Sequence, residues 1–179
     1  MIELDFIKDL DLKRTLENSL DFVYSFRERF EDFPENKFHQ EENHRIVILY
    51  VVSAIEALLL YFYKDRGEKT VNTDYKFIHT LPNEFIHCKK SFSPVVIAVQ
   101  EKTEKLDRNI TLRDLVSFFK DKKLIQEVTA NKILELNDVR NTFHFSKPRA
   151  KNCDLARVES ALNLLVYTLE RAPKALMKN

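Results

Sequence analysis

Glycine is almost absent from this chain: Gly67 stands alone among 179 residues, beside five prolines. Sheet-rich proteins depend on glycine and proline for the turns between strands, so the composition favours helices. Hydrophobic residues make up 44% and charged residues 32%, which is typical of a globular chain rather than a disordered one. The length suits one domain with a substantial core. We therefore predict an all-α fold, a single-domain bundle of about five or six helices spanning residues 1–179.

The longest apolar segment covers residues 46–63 and is interrupted by Ser53, Glu56 and the tyrosines. It is about as long as a membrane-spanning helix. Glu56 lies at its centre and would cost roughly 2.5 kcal/mol or more in lipid. The other helical segments also need an apolar surface against which to pack. We therefore predict a buried helix that ends near Gly67, and no membrane association.

Apolar periodicity and capping signals predict the other helices. Thr111 and Asp114 have the spacing of a capping box. Ser93 and Pro94 are typical of an N-cap followed by proline at the first helical position. A polar connection is expected at residues 32–43. The predicted helices lie at about residues 4–30, 46–63, 95–105, 111–119, 125–145 and 153–172.

Residues 68–88 have no clear periodicity. Two short apolar runs, residues 75–78 and 85–88, flank the sequence Leu-Pro-Asn-Glu. This pattern fits a small hairpin as well as an ordered loop. The sequence leaves both open, as a small irregular or hairpin insertion at about residues 70–92.

Polar side chains of catalytic type cluster near the end of the fifth predicted helix. Asn137, Arg140, Asn141 and His144 have the spacing i, i+3, i+4 and i+7, which puts them on one helical face. A guanidinium can hold a phosphate anion, and an imidazole beside it can move a proton. We predict Arg140, Asn141 and His144 as catalytic residues, with Asn137 in support. Glu56 is a further supporting residue, because a carboxylate in an apolar helix needs a partner, and Arg140 is the partner we predict.

The chain resembles the C-terminal half of HEPN domains. A short capped helix, a long helix ending in Leu-Asn-Asp-Val-Arg-Asn-Thr-Phe-His and a final amphipathic helix follow one another as in that family. Arg140-Asn141 matches the Arg–polar start of the family signature, and His144 matches its end. The segment Ala-Ile-Glu-Ala-Leu-Leu-Leu, which contains Glu56, resembles the family's buried helix. The resemblance covers about residues 45–64 and 111–170.

The resemblance implies a metal-independent endoribonuclease of the toxin or phage-defence type. Such an enzyme cleaves RNA to a 2′,3′-cyclic phosphate and needs no cofactor. It also implies a homodimer in which two Arg140/His144 faces line one cleft, with RNA as substrate and an antitoxin or other protein as a candidate partner.

The spacing of the signature supports a second interpretation. Three residues separate Arg140 from His144, whereas four to six are usual in the family. A regular helix then puts the two side chains about 40° apart rather than about 140°. The alternative function is therefore a non-catalytic HEPN-like dimeric module that binds a partner. A structural bundle without active-site chemistry is a third.

Charge and cysteine content set further limits. The net charge of +1 provides no global basic field for nucleic acid, so RNA would need a local site. Lys120, Lys122 and Lys123 are the candidate RNA contacts, or else a solvated helix end. Cys88 and Cys153 match no metal-ligand spacing, so we predict no metal site. Two cysteines and the lack of a signal peptide predict a cytoplasmic protein.

Overall fold

The computed structural model describes residues 4–28, 36–67, 69, 71–88, 91–105, 107–142 and 153–176. Contacts divide the chain into two compact units. One unit contains residues 1–68 and 111–179, and the other contains residues 69–110. The single domain over residues 1–179 stays a prediction.

The first unit is a bundle of helices. Its described elements are α1 (Leu10–Glu28), α2 (Lys37–Asp65), α3 (Leu112–Asp121), α4 (Glu127–Asn141) and α5 (Leu155–Leu176). Helix α2 packs against each of the other four and forms the centre of the core. Its fully buried side chains include Val47, Ile48, Val51, Ile55, Leu58 and Phe62.

Helix α2 is longer at its N-terminus than we predicted. The Asn36 side chain accepts a hydrogen bond from the backbone N–H of His39 and caps the helix there. A polar connection up to residue 43 is therefore wrong, because this cap lets the helix begin at Lys37. Gly67 follows the C-cap residue with a φ of +65°, in the left-handed conformation expected of a C′ glycine.

By length and composition, α2 could cross a bilayer, and it is the one such helix in the described part of the chain. This is weak evidence for a membrane span, because the central helix of a soluble bundle has the same properties. More than half of its most apolar window is buried inside the protein.

The second unit contains a two-stranded antiparallel sheet, so the all-α prediction is wrong and the fold is mixed. Strand β1 (Val71–Cys88) pairs with β2 (Ser91–Glu104). Both apolar runs at residues 75–78 and 85–88 belong to β1, and Leu-Pro-Asn-Glu lies inside that strand rather than at a turn. The sheet forms without a glycine between residues 71 and 104.

The helix predicted at residues 95–105 is also wrong, because these residues lie in β2. Val95, Val96, Ile97 and Val99 are β-branched and favour extended backbone. Pro94 is compatible with this strand because a two-stranded sheet consists of edge strands. Strand pairing therefore overrides the local Ser-Pro signal for a helix start.

The remaining helices lie where periodicity predicted them, with shifted ends. Helix α1 begins at Leu10 rather than near residue 4, because Asp9 Oδ1 accepts the backbone N–H groups of Asp11 and Leu12 and caps it. The capping box of Thr111 and Asp114 is confirmed, with both reciprocal bonds present. Helix α5 continues past Pro173, where we expected it to end.

Candidate functional site

An ion pair joins the centre of α2 to the end of α4. Nη1 of Arg140 donates a hydrogen bond to Oε2 of Glu56, which confirms the predicted contact between these residues. The side chains are 22% and 29% exposed, so the pair is accessible from solvent but only partly screened by it. The arginine is thereby held in one place while part of its surface stays open.

Burial of the flanking residues fixes the position of this pair. In α2, Ile55 is buried beside Glu56, and in α4, Leu136 and Val139 are buried beside Arg140. Each charged residue therefore lies at the margin of an apolar helix face. The packing of α2 against α4 therefore fixes how close the two charged side chains lie.

Asn137 lies one turn before Arg140 on the same face of α4. Its side chain is 7% exposed, and its Oδ1 has no hydrogen-bond partner among the described residues. A buried amide oxygen without a partner carries a desolvation cost of about 1–3 kcal/mol. Within the described residues, a buried acceptor without a partner therefore lies on the same face of α4 as Arg140.

Of the other two predicted catalytic residues, the structure describes Asn141 but not His144. Asn141 is the last residue of α4, half-buried and adjacent to Arg140. His144 lies outside the described residues, as does the predicted end of this helix at residue 145. The structure therefore brings Glu56 to Arg140, and it places Asn137 and Asn141 within one turn of Arg140 on α4.

A second arginine, which sequence reasoning missed, also binds the end of α4. Arg45 is 4% exposed, and its Nη1 donates to Oγ1 of Thr142 at 3.0 Å. Its Nε lies 3.5 Å from Oε1 of Glu42. Thr142 is the C-cap of α4 and donates its hydroxyl to the carbonyl of Val139 at 2.7 Å. A buried, charged anchor therefore fixes the residue that follows Asn141.

One sequence signal could have pointed to Arg45. It precedes Glu56 by eleven residues, which is three helical turns, so the two share a face of α2 about 16 Å apart. Both bind residues at the end of α4, Arg45 at Thr142 and Glu56 at Arg140. Helix α2 thus contacts this end of α4 through two long side chains of opposite charge.

His44, next to Arg45, binds the chain just before α5. Its Nδ1 donates to the carbonyl oxygen of Cys153 at 2.8 Å. The Cys153 thiol is buried, and this burial raises its pKa above the ordinary value, against the opposing charges of Arg45 and Arg157. Two consecutive residues of α2 therefore hold Thr142 and Cys153, one at the end of α4 and one just before α5.

The three predicted RNA-contacting lysines lie at the other end of α4. All are exposed at or just after the end of α3. Lys120 Nζ is 3.9 Å from Oε1 of Glu127, and Lys122 Nζ is 5.8 Å from the ring centre of Phe118. Along the axis of α4, Glu127 and Arg140 are about 20 Å apart. The structure therefore does not bring the lysines to Arg140.

Lys120 and Lys123 line an open cavity of about 660 Å³ at the start of α4, together with Gln126, Glu127 and Tyr167. Lys123 has a φ of +57°, which is unusual for a residue with a side chain and marks the tight turn between α3 and α4. Within the described residues no group of three His, Cys, Asp or Glu side chains could hold a metal ion.

Comparison with known proteins gives no relative from which a role could be transferred. No protein-family model matches this sequence, and no curated protein or solved structure is significantly similar to it.

Proposed function

We propose that this protein is a HEPN-like, metal-independent endoribonuclease of the cytoplasm, acting as a toxin or in phage defence. The observation that carries the proposal is the Glu56–Arg140 contact. It fixes an arginine, still 22% exposed, at the end of α4 and four positions before His144 in the sequence. A fixed, accessible guanidinium close to a histidine is what phosphodiester chemistry without a metal requires.

The reaction is a transesterification followed by release of the 5′-hydroxyl product. His144 takes part in proton transfer as the ribose 2′-hydroxyl attacks the adjacent phosphorus and the P–O5′ bond breaks. Arg140 stabilises the negative charge that develops on the phosphoryl oxygens. Asn141 orients one of those oxygens or the guanidinium itself. The products are a 2′,3′-cyclic phosphate and a free 5′-hydroxyl.

The contact with Glu56 is compatible with phosphate binding. A guanidinium has five N–H donors, and the bond to Glu56 uses its Nη1. Arg140 can therefore contact the carboxylate and a phosphate oxygen at the same time. Glu56 serves to hold the arginine in orientation, and the amide of Asn137 supports it from the same face of α4.

A homodimer belongs to this proposal. Along α2, a stripe of residues from Leu49 and Tyr50 through Ser53 and Ala57 to Leu60 is half-buried or exposed. Part of this stripe lines an open cavity of about 320 Å³ beside α1. A second chain would cover this apolar surface and bring two Arg140 faces together, as the HEPN resemblance implies. RNA is the proposed substrate, and an antitoxin is a candidate partner.

The test is cleavage of mixed RNA by the purified protein in the presence of EDTA. We expect activity in EDTA, a 2′,3′-cyclic phosphate product, and losses of about 10²–10⁴-fold in His144→Ala and Arg140→Ala. Arg113→Ala is the matched control, because Arg113 is a largely exposed helix arginine. Activity that is unchanged in both site variants would sink the proposal, as would its complete loss in EDTA.

The same contact gives a reason to consider a second function, a non-catalytic dimeric adaptor. Glu56 neutralises Arg140, so a phosphate must compete with a carboxylate already in place. The short Arg140–His144 spacing points the same way. Overexpression separates the two functions: a nuclease toxin stops growth and is relieved by His144→Ala, whereas an adaptor is tolerated in both forms.

A further inference from the structure

The two-stranded sheet exposes apolar side chains on both strands. Large hydrophobic residues are 45–70% exposed along its length: Tyr75, Phe77 and Ile78 on β1, and Val96, Ile97 and Val99 on β2. An isolated two-stranded sheet is marginally stable in water, and three or more strands are usually needed. Because this sheet has only two strands in the described residues, a further strand at one of its edges would stabilise it.

The two edges of the sheet differ in regularity. Strand β1 carries both register irregularities, with an extra residue between Phe77 and His79 and a longer interruption between Thr80 and Phe85. Bulges of this kind blunt an edge against pairing with another chain. Strand β2 pairs from Val96 to Glu104 without an extra residue. The more regular edge is therefore that of β2.

The β2 edge contains an apolar run, residues 95–99, with the sequence Val-Val-Ile-Ala-Val. No charged residue interrupts it, although charged side chains are a common protection of edge strands. Pro94 lies at one end and Gln100 at the other. Because proline has no backbone N–H, it limits a hydrogen-bonded ladder on that side. The apolar run is thus a bounded strand edge that can accept another strand.

The charges of the sheet indicate what kind of strand fits. Lys69 pairs with Glu104 at 2.7 Å, and Lys76 lies 3.9 Å from Glu101. Two lysines are therefore paired with glutamates of the same unit, which weakens the attraction of this part of the sheet for a nucleic acid or an anionic lipid surface. Because residues 95–99 include no charged side chain, they would bind another strand through apolar contacts and backbone hydrogen bonds.

We propose that β2 pairs antiparallel with β2 of a second copy of this chain, about a two-fold axis within the apolar run. This gives a four-stranded sheet in the order β1-β2-β2′-β1′. The apolar residues of the two copies then lie beside one another. Glu101 and Lys102 of one copy lie on the opposite side of the axis from Glu101 and Lys102 of the other, so like charges are kept apart. Parallel in-register pairing would instead put each charge beside its own copy, which is unfavourable. The inference is independent of the proposed ribonuclease function.

Cysteine cross-linking of the full chain tests this pairing directly. Residues opposite one another in an antiparallel pair have Cα atoms about 4.5–5.5 Å apart, within reach of a disulfide. Single cysteines are placed at positions 95–99 in a Cys88→Ser background, where the remaining Cys153 is buried. Ile78→Cys is the matched control, because Ile78 is on the same sheet and is similarly exposed, at 55% against 45% for Ile97.

We expect one or two positions in the apolar run to form a covalent dimer about 100-fold faster than Ile78→Cys at micromolar protein. The reason is that pairing holds the two thiols at an effective concentration on the order of millimolar. Adding Val99→Lys to the fastest variant, or Val96→Lys where the cysteine is at position 99, should reduce its rate to that of the control. Equal rates at Ile78 and throughout residues 95–99, or no cross-link at any of these positions, would overturn the proposal.

The cross-linking result does not depend on the ribonuclease or on a helical dimer interface. A chain that associates through α2 alone gives a dimer by mass but no preferential cross-link in the apolar run. A chain that pairs through β2 gives the cross-link whether or not it cleaves RNA.

Discussion

Glu56 and Arg140 are close enough, and sheltered enough, for their charges to matter to the free energy of unfolding. Fully exposed ion pairs couple by about 0.2–1 kcal/mol, and breaking a buried pair costs about 3–5 kcal/mol. With side chains 22% and 29% exposed, this pair lies between those limits. A double-mutant cycle with Glu56→Gln and Arg140→Met should give a coupling energy of about 1–2 kcal/mol.

The chain provides a matched control for that cycle. Arg113 and Asp138 also join two helices, but their charged atoms are 3.9 Å apart and their side chains are 67% and 50% exposed. Chemical denaturation of the equivalent variants should give a coupling energy near zero. Equal coupling for the two pairs would show that the Glu56–Arg140 contact contributes nothing particular to the fold.

Replacing Asn137 should raise the free energy of unfolding and lower the activity of the proposed nuclease. Because its buried Oδ1 has no partner in the described structure, Asn137→Leu removes this acceptor and keeps the branched shape of the side chain. We expect this variant to be about 1 kcal/mol more stable than the wild type and to lower the RNA cleavage that the proposed function implies. Asn131→Leu, on an exposed position of the same helix, controls for helix propensity. A loss of stability specific to Asn137→Leu would mean that the amide is satisfied after all.

Cys153 should make stability depend on alkaline pH. Burial raises the pKa of its thiol above the ordinary value of 9.0, so the unfolded chain ionises first as the pH rises. The contribution of the protonated thiol is complete below the unfolded pKa and is lost as the pH passes through the folded pKa. The stability difference between wild type and Cys153→Ala should therefore be constant near neutrality and shrink above about pH 9. Parallel curves across this range would contradict the assignment.

At the residue scale, contacts between opposite charges could be predicted and contacts to neutral groups could not. The Glu56–Arg140 contact followed from the need of a carboxylate in an apolar helix for a cation. Arg45 and His44 were missed because their partners are a hydroxyl and a backbone carbonyl, which have no charge or spacing signal in a sequence.

Among the helical elements, α3 depends most clearly on a local signal. It has 10 residues, and its first turn is closed by reciprocal bonds between Thr111 and Asp114. Thr111→Ala should lower the free energy of unfolding by about 1 kcal/mol. Ser117→Ala, at an exposed position within the same helix, should have no such cost. Urea denaturation followed by circular dichroism measures both, and equal effects would rule out a contribution from the cap.

Sequence patterns left a small hairpin at residues 70–92 only as an alternative to a loop, and they wrongly predicted a helix where β2 lies. Helices such as α1 and α5 bury one stripe, so their periodicity is visible, and only their ends depend on caps that are difficult to place. A two-stranded sheet with both faces exposed has no alternation of apolar and polar residues to reveal it. In β2 the apolar residues are continuous, and the Ser-Pro signal before them is typical of a helix.

Across the whole molecule, the exposed apolar surfaces predict association. Light scattering at micromolar concentration should give at least twice the chain mass of 21.2 kDa. An obligate interface would bury on the order of 1,600 Å² or more. A monomer mass at these concentrations would count against both the homodimer of the proposed nuclease and the pairing of β2.

The central position of α2 has a consequence for synthesis on the ribosome. Its most apolar window has a mean hydropathy of 2.2, and the helices that cover it include α3, α4 and α5, which are made later. Between the end of α2 at Asp65 and the end of α5 at Leu176, the ribosome adds 176 − 65 = 111 residues, which takes roughly 5–20 s. For that time the nascent chain carries a long apolar helix that only α1 can cover, and its length and composition are those of a membrane-spanning helix. We therefore expect chaperones that recognise emerging apolar segments to bind α2 while the rest of the chain is synthesised.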